Sequence, residues 1–351
     1  MNSFQERLAK VRNLARQKGL EQIVIRKNPN LAWLIGGRVH VPLTLDLACL
    51  DLIIQDQKVF AVTNAIEAPR LIAEELPSEI EVITINWWEG RDGKLPIGEQ
   101  VGADQPGAGR VDLSVEIEIL RQSLVAEDVE RFKKISTDAA VALGSAVKES
   151  RATDREIDVT ARIASALWQN DLELVFIGVA GAARVKKFRH PLPTTELIGE
   201  RLVASICARR KGLIASVTRI VSFEGDSTTD YENILRVEAA MLDKTMVGAR
   251  FSEAIEAAID SYSKFGFASD EWQKHHQGGP TGYAPRDWPA NRESQRLIQV
   301  NQPIAWNPTG NGWKVEDTVL ATESGPQILS IDPNWPMVEI AGRLRPGLFQ
   351  R

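Results

Sequence analysis

RLVASICARRKGLIASVTRIVSFEG, residues 201–225, places two apolar, β-branched-rich runs on either side of Arg209-Arg210-Lys211-Gly212. A glycine that supplies positive φ at the join makes this the pattern of a β-hairpin. With Arg209 to Gly212 as the loop, Ala208 faces Leu213 and Ser205 lies opposite Ser216, a pairing that sets Cβ atoms about 4.5–5.5 Å apart. Carboxylates so placed can clamp two metal ions about 3.5–4 Å apart for hydrolysis of an amide bond. Neutral serine hydroxyls are poor ligands.

The 351 residues, 43% of them hydrophobic, can bury a sizeable core and favour two domains over one. Acidic and basic residues are interspersed at a net charge of -5, which excludes the basic footprint of a nucleic-acid partner and a polybasic membrane anchor. No run approaches the roughly 18–20 apolar residues that span a bilayer. Cys49 and Cys207 lie in different halves, and the start MNSFQERLAKVR lacks the apolar core of a signal peptide, so the reducing cytoplasm is the expected location.

Leu8, Val11, Leu14 and Ala15 recur at helical spacing between Phe4 and Lys18, with Gly19 as the stop. A strand over Gln22 to Arg26, strand-like LACLDLIIQ, KVFAVT and EVITINWW, and a helical stretch from Ala65 to Leu76 alternate as in a small α/β domain. Trp87-Trp88 read as packing at a domain or dimer interface, or as a substrate wall in a partner subunit. GADQPGAGR is a loop near the domain boundary without the Lys-Ser/Thr of a phosphate loop. From Val125 the texture changes to a long amphipathic helix, AEDVERFKKISTDAAVALGSAVKES, and then a second helix with the capping-box pair Thr153 and Glu156.

The hairpin and what surrounds it resemble the creatinase, aminopeptidase P and prolidase family. The family's pattern of Asp, ten residues, then Asp-x-Thr-Arg stands here as Ser205, Ser216 and Val217-Thr218-Arg219. EQIVIRKNPNLAWLIGG resembles the opening of the family's N-terminal domain. HHQGGPTGYAPRDWP, residues 275–289, resembles its His-x-x-x-His-x-x-Gly-Leu segment, with His275 for the first histidine, Gly279 for the metal-binding one, and Arg286-Asp287 for a later His-Glu. NQPIAWNPTGNGWKVEDTVLATESGPQILS resembles the terminal hairpin, with Asn307 for one ligand glutamate and Glu316 retaining the other.

The resemblance implies an α/β (α+β) protein: a creatinase-type N-terminal domain over residues 1–124 and a pita-bread domain, with a curved antiparallel sheet and flanking helices, over residues 125–351. It also implies a homodimer with the N-terminal domain near the partner's active site. The metal-ligand positions it points to are occupied by Ser205, Ser216, Gly279 and Asn307, and Glu316 alone is a weak holder of a hydrolytic divalent ion. No metal or other cofactor is therefore expected.

His190, in RHPLP, stands where the family places an active-site histidine. Pro191 and Pro193 restrict its backbone, and neighbouring Lys186, Lys187 and Arg189 disfavour imidazolium, which suits a base. A solvated basic loop is the other reading. His275 is a candidate proton donor, and Glu316 a carboxylate that orients His190 or binds a substrate cation. Arg219, His276, Arg286, Trp306 and Trp313 are candidate substrate contacts, with core packing the alternative for the tryptophans. Creatinase hydrolyses a C–N bond without metal, so the leading expectation is a metal-independent hydrolase of a C–N bond in a small molecule or short peptide. A non-catalytic ligand- or peptide-binding descendant is the second expectation, and a conventional Xaa-Pro aminopeptidase or dipeptidase the third.

Overall fold

The computed structural model describes residues 2–41, 45–105, 107, 109–223, 225 and 227–351. Pro106 and Ala108 of the GADQPGAGR loop, and Glu224 at the end of the hairpin stretch, lie outside the described residues. The chain packs as two units, one running to Asp128 with Lys211–Leu213 added, the other of Val129–Arg210 and Ile214–Arg351.

In the first unit the helix Ser3–Lys18 starts where Asn2 accepts the Gln5 N–H and stops at Gly19, whose φ of 67° only glycine adopts freely. Phe4, Leu8, Val11 and Leu14 form its buried face. Strands β1 (Gln22–Lys27), β2 (Leu47–Gln55), β3 (Val59–Asn64), β4 (Glu81–Ile85), β5 (Val101–Ala103) and β6 (Val111–Asp112) form a mixed sheet in the order β4-β3-β2-β1-β5-β6. The expected helix from Ala65 to Leu76 shrinks to Ala68–Arg70 and a π-helical turn, Leu71–Glu75. Asn64 Oδ1 delays its start by accepting from the Ile66 and Glu67 N–H groups. Trp87 and Trp88 lie past the end of β4, edge to face at 5.5 Å and 64% and 66% exposed, so neither belongs to this unit's core.

The long helix is Ala126–Lys148, in the second unit from Val129 on, and the next is Glu156–Gln169. Strands β7 (Glu173–Gly181), β8 (Arg201–Arg210) and β9 (Leu213–Ser222) follow. Strands β10 (Gly278–Pro280), β11 (Gln302–Trp306), β14 (Asp317–Thr322) and β15 (Gly325–Ile328) make an antiparallel sheet, and β12 (Thr309–Gly310) pairs with β13 (Trp313–Lys314). After the hairpin of β16 (Met337–Ile340) and β17 (Arg343–Pro346), β18 (Phe349–Gln350) joins β9 in the order β18-β9-β8-β7. Helices Thr228–Asp243 and Phe251–Lys264 supply core residues such as Ile234, Leu235, Phe251 and Ala258. Among the described residues no helix is long and apolar enough to cross a membrane.

The decisive hairpin forms with a different turn. Only Lys211 and Gly212 join β8 to β9, with φ of 45° and 88°, as in a two-residue primed turn. Shortening the loop from four residues to two slides the register, because each side chain keeps its face but changes its opposite number. Ser205 Oγ is 2.7 Å from Thr218 Oγ1, and Cys207 Sγ is 3.5 Å from Ser216 Oγ. Ser205 therefore faces Thr218 rather than Ser216, and the two serines are diagonal neighbours, for which about 7–8 Å is usual.

Behind the hairpin lies a buried ion-pair network. Arg219 and Arg345, each 1% exposed, share the fully buried Asp317 at 3.0 Å, and Arg345 also grips the fully buried Glu238. Ser330 Oγ donates to Asp317 Oδ1 at 2.6 Å, and Arg219 donates to the Ser330 carbonyl at 2.7 Å. Arg219 was expected at the substrate; the structure places it in this core instead. Its charge is neutralised there.

Candidate active site

Glu156 was expected to cap its helix together with Thr153. The helix instead starts with Arg155 as the capping residue, its N–H donating to Asp158 Oδ2 at 3.2 Å. That frees Glu156, fully buried, to accept from the Gly181 N–H at 3.0 Å, the Thr194 N–H at 2.9 Å, the Thr194 hydroxyl at 2.8 Å and the Arg184 guanidinium. One carboxylate thus ties together both ends of the segment that carries His190.

The other side of that segment is fixed by consecutive residues. Arg189 donates to Glu271 at 2.5 Å, and His190 Nε2 lies 2.9 Å from His275 Nε2. His276 completes the group, its ring centroid 5.4 Å from His190 and 4.5 Å from His275. Burial, followed by Lys314 and Arg286, pushes His190 below the usual imidazole range. His275 is pushed down further, by burial first and then Lys314; His276 is lowered to about 4 by burial and then Arg286. All three rings are neutral at pH 7. The cations responsible are Lys314 and Arg286, not the Lys186, Lys187 and Arg189 expected from the sequence.

These depressed values make acid a destabilising agent. The unfolded state binds a proton that the folded imidazole resists, so the stabilising contribution is intact above about pH 6.5 and is lost as the pH falls toward 4. For His276 the loss amounts to about 3 kcal/mol at most. Urea unfolding followed from pH 7 to 4.5 should show a falling midpoint in wild type and a shallower fall in His276→Asn. An identical slope in the two proteins would contradict the assignment.

Across from the histidines is a cavity of about 330 Å³, lined by Phe176, Cys207, Asn307, Lys314 and Glu316 together with His190, His276 and Arg286. Glu316 accepts from Lys314 Nζ at 2.9 Å and from Arg286 at 3.3 Å. Arg286 also donates to the carbonyls of Gly279 and Ala305, at 2.8 and 2.7 Å. Burial alone would raise Glu316, but Lys314 and Arg286 outweigh it and hold the carboxyl below its usual range. His190 is therefore oriented by His275, and Glu316 is engaged by two cations. Burial pushes the Cys207 thiol up to about 11, which leaves it protonated and unreactive.

Lys314 escaped the sequence reading. It lies two residues before Glu316, and residues i and i+2 of an extended segment share a face, which was the available signal. Trp313 borders a small cavity of about 30 Å³ together with His190 and Lys314, and its ring carries the Arg201 guanidinium at 3.4 Å. Trp306 is fully buried, with Nε1 donating to Thr245 Oγ1 at 2.9 Å, and serves the core.

No protein-family model matches the sequence, and no curated protein does. Solved structures do. The prolidase of Thermococcus sibiricus superposes with a TM-score of 0.81 over 100% of both chains at 15% identity. The chain has the pita-bread fold. The prolidase of Pyrococcus horikoshii OT3 gives 0.79 at 17% identity, covering 93% of this chain and 98% of that one. The N-terminal domain of FACT complex subunit SPT16 from Cicer arietinum gives 0.71 at 12% identity, covering 94% and 96%. At these identities the likeness is one of fold.

The two-metal centre of the pita-bread peptidases does not fit the residues present. Gly279, where a ligand histidine would stand, has a φ of 150°, and a Cβ there would come within 2.5 Å of the Trp288 carbonyl oxygen and 3.0 Å of the Ala290 nitrogen. No histidine side chain can be seated there. Ser205, Ser216 and Asn307 offer neutral oxygens, and the one carboxylate, Glu316, already carries a lysine and an arginine. Hard divalent ions are held by several anionic oxygens, and this donor set supplies one that is already paired.

Proposed function

We propose that this protein is a metal-independent hydrolase of a C–N bond, amide or amidine, in a small molecule or short peptide, with His190 as the acid/base. The observation that carries this reading is the 2.9 Å pairing of a neutral His190 with a buried His275, beside a cavity flanked by Lys314 and Arg286. With the His190 Nε2–H donated to His275, the other ring nitrogen of His190 is free to take a proton from an attacking water. The same proton then passes to the leaving nitrogen as the C–N bond breaks, which restores the neutral ring. Two cations against one carboxylate leave net positive charge at the cavity wall, suited to the negative charge that develops on the carbonyl oxygen when water attacks an amide, or to a substrate carboxylate. A volume near 330 Å³ matches a small ligand.

The reading includes a cytoplasmic homodimer, supported by two free cysteines and by the exposed Trp87 and Trp88. The test is a screen of wild type, without added metal, against Xaa-Pro dipeptides, creatine-like amidines and cyclic amides. The donor set also leads us to expect that dialysed protein carries far less than one equivalent of Mn, Co, Zn or Fe, and that a chelator leaves its melting temperature unchanged. Stoichiometric metal surviving dialysis would sink the metal-independent mechanism. The other reading is a non-catalytic ligand- or peptide-binding protein, which binding without turnover across the screen would establish. A conventional Xaa-Pro aminopeptidase or dipeptidase is compatible with the fold and disfavoured by the donor set.

A further inference from the structure

We propose that His190, His275 and His276 form a site for one borderline transition-metal ion, Zn²⁺ or Co²⁺, separate from the two-metal centre the fold implies. None of the positions of that centre contributes to it. One ring nitrogen from each histidine lies within 4.8 Å of the other two, and the His190 and His275 Nε2 atoms are 2.9 Å apart. Metal–nitrogen bonds of about 2.0–2.1 Å in a tetrahedral site need nitrogens roughly 3.3–3.4 Å from one another. Small ring movements reach that spacing. The ion takes the place of the proton now shared between His190 and His275, and the displaced hydrogen moves to the other nitrogen of the same ring.

Three further observations favour an ion here. His275 is more than nine-tenths buried, and the buried His276 Nδ1 has no hydrogen-bond partner. Buried polar atoms are normally satisfied, so an orphaned ring nitrogen in this cluster indicates a site whose occupant would reorder the rings. All three imidazoles are neutral at pH 7, the form that ligates, and imidazole favours Zn²⁺ and Co²⁺ over Mg²⁺ and Ca²⁺. His190 is exposed and provides the way in, and the adjoining cavity has room for a water as the fourth ligand. Lys314 and Arg286, offset by Glu316 alone, oppose a cation, so the ion exchanges readily and dialysis removes it. Its arrival removes the lone pair that the proposed hydrolysis needs; that consequence rests on the functional reading, whereas the binding does not.

The experiment is titration of dialysed full-length protein with Co²⁺, read by the visible absorption of four-coordinate cobalt, with Zn²⁺ as competitor and Mg²⁺ as control. One ion per chain should bind at micromolar concentration, Zn²⁺ should displace it, and Mg²⁺ should not. His275→Ala and His276→Ala should each weaken binding at least about tenfold, while Ser205→Ala and Asn307→Ala should leave it unchanged. Should the buried His275 variant fail to fold, His190→Ala, on an exposed loop, gives the same readout. No cobalt band at about 1 mM, a stoichiometry of two, or binding that survives loss of the histidines would overturn the site. Where a substrate has been found, Zn²⁺ should inhibit its turnover in wild type. Binding without inhibition would overturn the functional consequence alone, and an absence of turnover in any condition would count against the hydrolase while the cobalt result stands.

Discussion

His190→Ala should fold normally and lose about 10² to 10⁴ in turnover, the contribution that a positioned acid/base makes to proton transfer. In the proposed mechanism no Lewis acid lowers the pKa of the attacking water, so the imidazole takes its proton. The ring is exposed, and its loop is anchored by Glu156 and by the Arg189–Glu271 pair rather than by His190 itself, so removing the side chain leaves the backbone supported. Because burial, Lys314 and Arg286 depress His190, the base is neutral throughout the physiological range. The acid limb of kcat/KM should accordingly lie below about pH 6.5, the unperturbed histidine value. Ser205→Ala and Ser216→Ala should be far milder, since neither holds a metal. Turnover that survives in His190→Ala would refute the mechanism; altered ligand affinity with no turnover in wild type would show a binding protein.

Asp317→Ala should be the most damaging single change to the fold, at about 3–5 kcal/mol. The substitution leaves one buried guanidinium, Arg219, without a carboxylate and the other, Arg345, with Glu238 alone. Burial already pushes Glu238 up to about 7 with Arg345 beside it, so a site this dry does not readily absorb another unpaired charge. Asp317→Asn should be less severe, because the amide oxygen still accepts hydrogen bonds. Thermal unfolding should drop by roughly 6–20 °C in the alanine variant. A loss below about 1 kcal/mol would mean that the network is solvated or that the arginines find other acceptors.

The legible parts of the chain are those written in short-range periodicity. The helix ending at Gly19, strand Leu47–Gln55 and the long helix Ala126–Lys148 each carry a repeat that local geometry dictates. The hairpin was visible too, but Arg209-Arg210-Lys211-Gly212 accommodates either a four-residue or a two-residue loop. Lys211 adopts positive φ without being a glycine, and that choice sets the register. Thr153 and Glu156 match a capping box at the level of residue type, yet the buried Glu156 is drawn to partners 25 to 38 residues away. Long-range pairs leave no such trace: Arg219 meets Asp317 98 residues on, Arg345 meets Glu238 across 107, and His190 meets His275 across 85. His190, His275 and Glu316 entered the candidate site through family resemblance, and Lys314, outside the recognised motifs, was missed.

Turnover by chelator-treated wild type across the panel of Xaa-Pro dipeptides, amidines and cyclic amides tests the metal-independent mechanism most directly. The expected result is hydrolysis of at least one substrate at full rate in the chelator, abolished in His190→Ala. Hydrolysis that appears only when Mn²⁺, Co²⁺ or Zn²⁺ is restored would contradict it.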